Sequence, residues 1–411
     1  MASGPLAGIR VLDLTRVWAG PLAGMILADL GAEVIKVEGP NTRTPRHVPK
    51  GPHGSWPDGD PGEAPWNRSG TINNLTRNRR SICVDLKHPD GKDIFRRLVA
   101  VSDAVLENFA ARVMDGLGLG WSDLARIRPE LVYVAMPGFG GTGPYRDYVA
   151  YGPALEPAAG LPALTGYGTE PHGSGTALPD PVAGTHGAAA LLAALDQRHR
   201  TGRGVHVDLS QHETAISVLG EYVVERQLTG EEPRRHQNSH ARHIVQGTYP
   251  CKGEDRWIVI SIRDEREWSS FDEVAGHRFA RDFPDPAAAQ HRDALDSAIR
   301  GWTSGRDARL LMHELQGAGV AAAVVNRGDD LVRDPHLAAR KFFVELDDFD
   351  GGPRLYAGSP TRVEGDRHDG YTPAPSLGGD NEWVLGTLLS MSPTQIDALE
   401  ATGVVATQPT R

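Results

Sequence analysis

Asp180 stands between two prolines in Gly-Thr-Ala-Leu-Pro-Asp-Pro-Val-Ala-Gly-Thr-His-Gly (175–187), just ahead of the helix-like run AAALLAALDQRH. A carboxylate in that position has two readings. Asp is a preferred N-cap and Pro181 suits a first helical position, so the segment reads as an ordinary helix start. A carboxylate at a helix N-terminus is also held ionised by the macrodipole and the free amides. Set among small residues (Ala183, Gly184, Gly187, Ala188, Ala189), an ionised carboxylate can attack an activated acyl group. The local sequence leaves both readings open.

Three other groupings carry chemical promise. TRNRRS (76–81) places Arg77, Arg79 and Arg80 at the start of a strand. They read either as a solvated loop or as guanidinium forks for phosphate oxygens. GFGGTG (138–143) matches the dinucleotide fingerprint in letters and follows the strand-like LVYVAMP. The fingerprint needs a helix to open at the third glycine, with an acidic residue about 20 positions on. Pro144-Tyr145-Arg146-Asp147 predicts a turn instead, so the nicotinamide oxidoreductase reading is set aside. His236, His240 and His243 would share a helical face, but they lie in a proline-bearing linker beside Arg234, Arg235 and Arg242, and no metal site is expected there.

The elements that must position these residues alternate. GIRVLDL, AEVIKVE, SICVDL, DAVLENF, LVYVAMP and GVHVDLS read as short strands, and PLAGMILADLGA and PDGKDIFRRLVAVS have helical spacing between them. Such alternation predicts an α/β fold with a mostly parallel, Rossmann-like sheet covered on both faces. The rhythm breaks at 226–245, a charged stretch with Pro233 that reads as a linker. RWIVISI, EREWSSFDEVAG, RDARLLMHELQGAG and VAAAVV then predict a smaller α/β domain over 246–325. Residues 1–225 are read as the first part of the large domain. Residues 326–411 are read as the return to it plus a tail: a strand at FFVELD, a Gly/Pro/Asp-rich stretch over 349–381 and a terminal helix at SPTQIDALEATG.

Composition narrows the class. A length of 411 residues favours more than one domain, and 39% hydrophobic with 23% charged residues is ordinary globular composition. A net charge of -10 argues against nucleic acid or an anionic membrane surface as partner. The two cysteines, Cys83 and Cys251, offer no disulfide framework. With no signal-like start and no apolar run near the roughly 20 residues of a membrane span, a cytoplasmic protein is expected.

PLAGIRVLDLTRVWAGPLAGMILADLGAEVIKVEGP closely resembles the opening of the class III (CaiB/BaiF-type) coenzyme A transferases. The resemblance recurs in order through NRRSICVDLKHPDG, LENF with VMDGLGLGWSDL, GFGGTGPYRD, ALPDPVAGTHGAAALLAALDQRHRTGRGVHVDLS, GTYPCKGEDRWIVISI and QGAGVAAAVVNRGDDLVRDPHLAARKFFVEL, so it covers nearly the whole chain. It implies an interlocked homodimer and a transfer of CoA from an acyl-CoA donor to a carboxylic acid, with CoA as substrate and no tightly bound cofactor. It assigns Asp180 the position of the nucleophile, which forms an aspartyl mixed anhydride and then an aspartyl-CoA thioester.

For CoA the resemblance points to Val17, Trp18 and Ala19, to Asn78, Arg79 and Arg80, and to Asn108 and Phe109. Where relatives continue Asn-Phe-Arg-Pro-Gly, this chain has Ala110, Ala111 and Arg112, so Arg112 replaces the missing arginine or the contact is absent. Gly39 stands where formyl-CoA transferase has another arginine. The family's racemase branch pairs its aspartate with a histidine to move the α-proton of the thioester. Here Tyr151 occupies that place, and an unperturbed tyrosine pKa near ~10 suits a general base poorly. Racemisation, and CoA binding without turnover, remain as alternatives, and Tyr151 is then expected to line the acyl pocket. The loop SWPDGDPGEAPWN (55–67), with Trp56 and Trp66, is read either as a second contributor to that pocket or as loop anchors.

Overall fold

The computed structural model describes residues 4–41, 43, 56–240, 242–349, 352–363 and 370–409. They form two compact units. One comprises Met1–Leu161, Gly173–Glu231 and Lys341–Arg411, and the other Pro162–His172 and Glu232–Arg340.

The first unit is built on six strands: β1 (Arg10–Asp13), β2 (Glu33–Glu38), β3 (Arg79–Cys83), β4 (Ala104–Glu107), β5 (Val132–Ala135) and β6 (Val205–Asp208). They lie in the order β3-β2-β1-β4-β5-β6, and every neighbouring pair is parallel. The order reverses between β1 and β4. Chain leaving β1 turns to one side and chain leaving β4 to the other, which opens a crevice at their carboxyl ends.

Both faces of this sheet are buried, because alternate residues feed two apolar layers. Val11, Leu106 and Val134 face the layer that holds Ala19, Ala23 and Leu27 of the helix Ala19–Asp29 and Ala183, Leu191 and Ala194 of the helix Pro179–Thr201. Leu12, Val105 and Tyr133 face the other, with Ile94, Phe95 and Leu98 of the helix Pro89–Ala100. Val384, Leu385, Leu389 and Leu399 from the chain's last quarter complete that layer. Burial of each such Val, Leu or Phe side chain contributes about 1.5–3 kcal/mol, which is why the tail returns to the sheet. The tail also covers the free edge of β3, where Asp380 and Asn381 accept hydrogen bonds from the Ser81 and Cys83 amides, each at 2.9 Å.

The second unit carries an antiparallel sheet of β7 (Val245–Pro250), β8 (Trp257–Ile262) and β9 (Ala321–Val324), in that order. Ile258, Ile260, Phe271, Phe279, Trp302 and Leu315 form its core. It is wider than the expected 246–325. Arg235 donates to the carbonyls of Ala163 and Gly168 at 3.1 and 3.3 Å, which ties the 232–244 stretch to 162–172.

Two sequence expectations change. The reading of 226–245 as linker overlaps the helix Gly220–Thr229, and β7 begins inside its last residue. The Gly/Pro/Asp-rich stretch contains β11 (Pro353–Ala357), which pairs antiparallel with β10 (Phe343–Asp347) in the first unit. Among the described residues no helix is long and apolar enough to cross a membrane.

Candidate active site

Asp180 lies at the carboxyl edge of the parallel sheet, and its side chain does not cap its own helix. That helix opens two residues earlier than expected, at Pro179, with Leu178 as an N-cap that makes no side-chain bond. The carboxylate is free to be held by other elements. The Ala19 amide, first in the helix after β1, donates to its Oδ1 at 3.3 Å. The Gly152 amide, first in the helix Gly152–Ala158, also bonds it. Three helix starts therefore converge on one carboxylate, which is only 5% exposed.

This convergence depends on close packing. A Cβ at Gly184 would meet the Ala19 carbonyl oxygen at 2.6 Å, so only glycine lets the two long helices approach closely enough for the Ala19 amide to reach Asp180. At Gly152 the niche is tighter still: a Cβ would sit 1.8 Å from Asp180 Oδ2. The electrostatic balance also differs from the sequence expectation of a carboxylate held strongly ionised. Burial raises the Asp180 pKa above its ordinary value, and the Ala19 and Gly152 amides pull it back only in part.

The crevice between β1 and β4 brings several of the predicted residues to this edge. Asn108 clamps the loop after β1 with two bonds to one residue, accepting from the Arg16 amide at 2.8 Å and donating to the Arg16 carbonyl at 2.9 Å. Val17 is exposed with φ +71°, and Trp18 precedes the first helix as its N-cap. The Arg16 guanidinium lies 5.4 Å above the Phe109 ring. Phe109 itself is fixed by its amide, which donates to Glu107 at 2.7 Å. Tyr151 is exposed and is the N-cap of the helix that begins at Gly152. Arg112 is exposed, has φ +69° and pairs with Asp147 at 3.2 Å.

Asn78, Arg79 and Arg80 are placed differently. Strand register pairs Arg79 with Val34 and Arg80 with Ile35, so both stand at the amino end of β3, opposite the edge that carries Asp180. Arg79 is fully buried, bound to Asp13 and to the carbonyls of Pro21 and Leu75. Its guanidinium has no exposed face, its charge being turned to Asp13. Burial opposes ionisation of Asp13, but Lys36 and Arg79 outweigh that and hold its carboxyl below the usual range. Asn78 bonds Asp29 at 2.8 Å and the Thr372 amide at 2.7 Å, and Arg77 pairs with Asp29 at 2.5 Å. Arg80 pairs with Asp380 at 3.0 Å and stacks 3.9 Å from the Trp383 ring.

Residues at and just before the start of the basic run line a cavity beside the loop after β1. Ile72, Leu75 and Thr76 line a cavity of about 80 Å³, facing Thr15, Arg16 and Val17 of the loop after β1 and Lys36 and Glu38 of β2. Arg43 closes one side, held by Glu38 through two bonds of 2.6 Å. The sequence offered no signal for Ile72 or Thr76. For Arg43 the only hint was a basic residue soon after a strand. Of the loop 55–67, Ser55 lies outside the described residues. Trp56 precedes a turn at Pro57–Gly59, and Trp66 lies in a short helical turn, Pro65–Arg68.

The GFGGTG loop opens no helix. Its Gly141 amide donates to both carboxylate oxygens of Asp208, at 2.8 and 2.9 Å, so an acidic side chain occupies the place a pyrophosphate would need.

Comparison with known proteins places this geometry. Residues 6–381 match CoA-transferase family III. The chain belongs to this family. It is 33% identical to the succinyl-CoA–D-citramalate CoA-transferase of Chloroflexus aurantiacus, with 98% of each chain covered. It is 30% identical to the succinate–glutarate CoA-transferase of Agrobacterium fabrum, covering 95% of this chain and 97% of that one. Against the succinyl-CoA:mesaconate CoA-transferase of Haloarcula hispanica the identity is 32%, over 88% and 90% of the two chains. A solved CaiB/BaiF family protein from Brucella suis superposes with a TM-score of 0.82 at 29% identity, covering 94% of this chain and 99% of that one. This family III CoA-transferase thus has the α/β fold expected from its alternating elements, and CoA thioesters are the substrates of its class.

Proposed function

We propose that the enzyme moves CoA from succinyl-CoA to a second dicarboxylic acid, with Asp180 as the covalent nucleophile. The donor and acceptor class is supported by the three relatives above, whose names each join succinyl-CoA or succinate to a dicarboxylic acid. The single observation that carries the mechanism is the buried Asp180 carboxylate held by the Ala19 and Gly152 amides.

In the first step an Asp180 oxygen attacks the thioester carbonyl, the C–S bond breaks, and CoA leaves as thiolate with a mixed anhydride left on Asp180. The thiolate then attacks Asp180 Cγ, the anhydride C–O bond breaks, and succinate departs, leaving an aspartyl-CoA thioester. The acceptor carboxylate attacks the same Cγ and displaces the thiolate, which takes the acceptor acyl group and frees Asp180. Each step exchanges a carboxylate for a thiolate, so no net proton moves and no general base is required. What each step needs is stabilisation of an oxyanion. When Cγ is the centre attacked, the oxyanion forms on an Asp180 oxygen, and the Ala19 and Gly152 amides already bond that carboxylate. The amide that holds that oxygen in the resting nucleophile therefore serves as an oxyanion donor in two of the four steps.

A racemase would need a base facing the α-carbon. The partners of the Asp180 carboxylate among the described residues are amides, and Tyr151 projects into solvent. That favours transfer. CoA is read into the cavity lined by Thr15, Arg16, Val17 and Leu75, whose Arg16 is bonded by Asn108 and lies over Phe109. The homodimer belongs to the same reading. The helix Gly220–Thr229 buries none of its residues, and Val223, Val224 and Leu228 are 50%, 53% and 82% exposed, a face that a second copy would cover.

The test is intact and peptide mass spectrometry after mixing the enzyme with acetyl-, succinyl- or glutaryl-CoA, with and without hydroxylamine. A hydroxylamine-sensitive adduct on Asp180, formed fastest from succinyl-CoA and absent in Asp180→Asn, is expected. Turnover with no adduct on Asp180, or transfer by Asp180→Asn at the normal rate, overturns the mechanism. Faster labelling by acetyl-CoA overturns the donor assignment.

A further inference from the structure

Glu156 is a buried carboxylate that the transfer chemistry does not use. It lies one turn into the helix Gly152–Ala158, the helix whose first amide bonds Asp180. Around it a small cavity is lined by apolar groups, among them Leu161, Leu178, Pro179, Val182 and Ala215. A carboxylate buried in such surroundings must be hydrogen-bonded. Its partner is Ser174, whose amide donates to Oε1 and whose hydroxyl donates to Oε2 at 2.9 Å.

Ser174 begins the strap that leads into the nucleophile. Its hydroxyl accepts from the Thr176 amide at 3.2 Å. Next comes Ala177 at φ +49°, a conformation that residues with a Cβ seldom adopt. The Ala177 carbonyl then accepts the Asp180 amide at 2.9 Å. Ser174 and Thr176 are exposed, so burial does not hold this end of the strap. One short helix pins it at both ends, through Glu156 to Ser174 and through the Gly152 amide to Asp180. A left-handed alanine persists only where its surroundings over-determine it. Release of the Ser174 end removes one of the two restraints, and relaxation at Ala177 swings the three residues that end in Asp180.

We propose that Glu156 is a positioning residue for Asp180: by anchoring Ser174 it holds the left-handed turn at Ala177 that aims the carboxylate between the Ala19 and Gly152 amides. The inference rests on the reading of Asp180 as nucleophile. Because Glu156 touches no reacting atom, its removal should slow acylation of Asp180 without weakening CoA binding.

The experiment compares wild type with Glu156→Ala, Glu156→Gln, Ser174→Ala and the double variant Glu156→Ala/Ala177→Gly. It follows single-turnover labelling of Asp180 by the best donor for wild type, and CoA affinity by calorimetry. Glu156→Ala is expected to label about 10–100-fold more slowly, the scale of an ångström-sized misplacement of a reacting group. Its CoA Kd should stay within about threefold, since no CoA-site residue bonds Glu156. Glu156→Gln, which keeps an acceptor oxygen, should fall between, and Ser174→Ala should lose less than Glu156→Ala. The decisive arm is the double variant: glycine adopts φ near +50° at no steric cost, so it should regain a large part of the lost rate. Wild-type labelling by Glu156→Ala overturns the inference. So does a loss of labelling matched by an equal loss of CoA binding that Ala177→Gly does not rescue. If wild type itself acquires no label on Asp180, the nucleophile reading fails and takes the inference with it, an outcome distinct from the other two.

Discussion

Gly152→Ala is the substitution that most directly tests how Asp180 is held. The added Cβ would lie 1.8 Å from Asp180 Oδ2, 3.0 Å from its Cγ and 2.8 Å from the Ala177 Cβ. Ordinary contact begins near 3.4 Å, so the carboxylate oxygen must retreat by about 1.6 Å or the strap must move with it. The nearest atom is the end of a side chain, so rotation about χ1 and χ2 relieves much of the clash. Overpacking of this kind costs about 1–3 kcal/mol, at the low end when a flexible group can yield. Catalysis has no such escape, because a displacement of about 1 Å can cost about 100-fold in rate. Gly152→Ala is therefore expected to remain folded, with a small loss in denaturant midpoint. Its single-turnover acylation should drop about 100-fold or more, and its CoA affinity should stay near wild type. Acylation within threefold of wild type would refute the argument that the Gly152 niche aims the carboxylate. A collapse of the fold would refute the argument that the clash is relieved by the side chain.

Arg79→Met leaves the fully buried Asp13 with Lys36 as its remaining cation, so unfolding by urea should show a loss of about 3–5 kcal/mol while CoA affinity of the folded enzyme changes little. Unchanged stability with collapsed CoA affinity would return Arg79 to a phosphate-binding role. Asn108→Ala removes two hydrogen bonds to the Arg16 backbone, each contributing about 1 kcal/mol, so CoA should bind about 10–30-fold more weakly by calorimetry; tight binding would show that the loop after β1 keeps its shape unaided. Burial pushes the Glu107 carboxyl up to about 7 from an ordinary 4.5, against the pull of the Phe109 amide and the Tyr133 hydroxyl. Between those two pH values only the unfolded chain ionises, so wild type loses stability as pH rises, by about 3 kcal/mol in total at about 1.4 kcal/mol per unit. Glu107→Gln lacks that loss, so its stability advantage in urea should grow from near zero at about pH 4.5 to about 3 kcal/mol above pH 7, and an advantage independent of pH would refute the assignment.

The strands were legible because parallel strands buried on both faces write themselves as short β-branched runs between glycines, as in Val11–Leu12 and Val34–Ile35. β7 escaped because VQGTYP interrupts its alternation with Gly247 and ends on Pro250. The proposed nucleophile was ambiguous locally for a physical reason: a cap and a catalytic carboxylate ask for the same residue beside the same proline. What separates them is the pair of amides from Ala19 and Gly152, and the first lies 161 positions from Asp180 in the chain. Gly152 itself reads as turn punctuation in YGPAL, since the atom it must avoid comes from another helix. TRNRRS was ambiguous for the converse reason. A basic run looks solvated or phosphate-seeking until Asp13, Asp29 and Asp380 are found beside it, and sequence does not show that they are.

These placements bear on how one carboxylate can be nucleophile and acyl carrier in turn. A helix-capping aspartate would be over-stabilised as an anion, a poor nucleophile and a good leaving group. Asp180 is shifted the other way, because burial outweighs its two amide bonds and its pKa rises. That leaves a more basic and more nucleophilic oxygen. In the proposed cycle, attack at Cγ of the anhydride or thioester returns charge to an Asp180 oxygen, and the amide that holds that oxygen then gives more. Donors that bind the resting anion weakly and the tetrahedral oxyanion well satisfy the requirement for differential stabilisation. A substitution that strengthened the resting bonds, by adding a side-chain donor near Asp180, is therefore expected to slow the first acylation and lower the pH at which it begins. A faster first acylation in such a variant would show that ground-state holding, rather than oxyanion stabilisation, limits the rate.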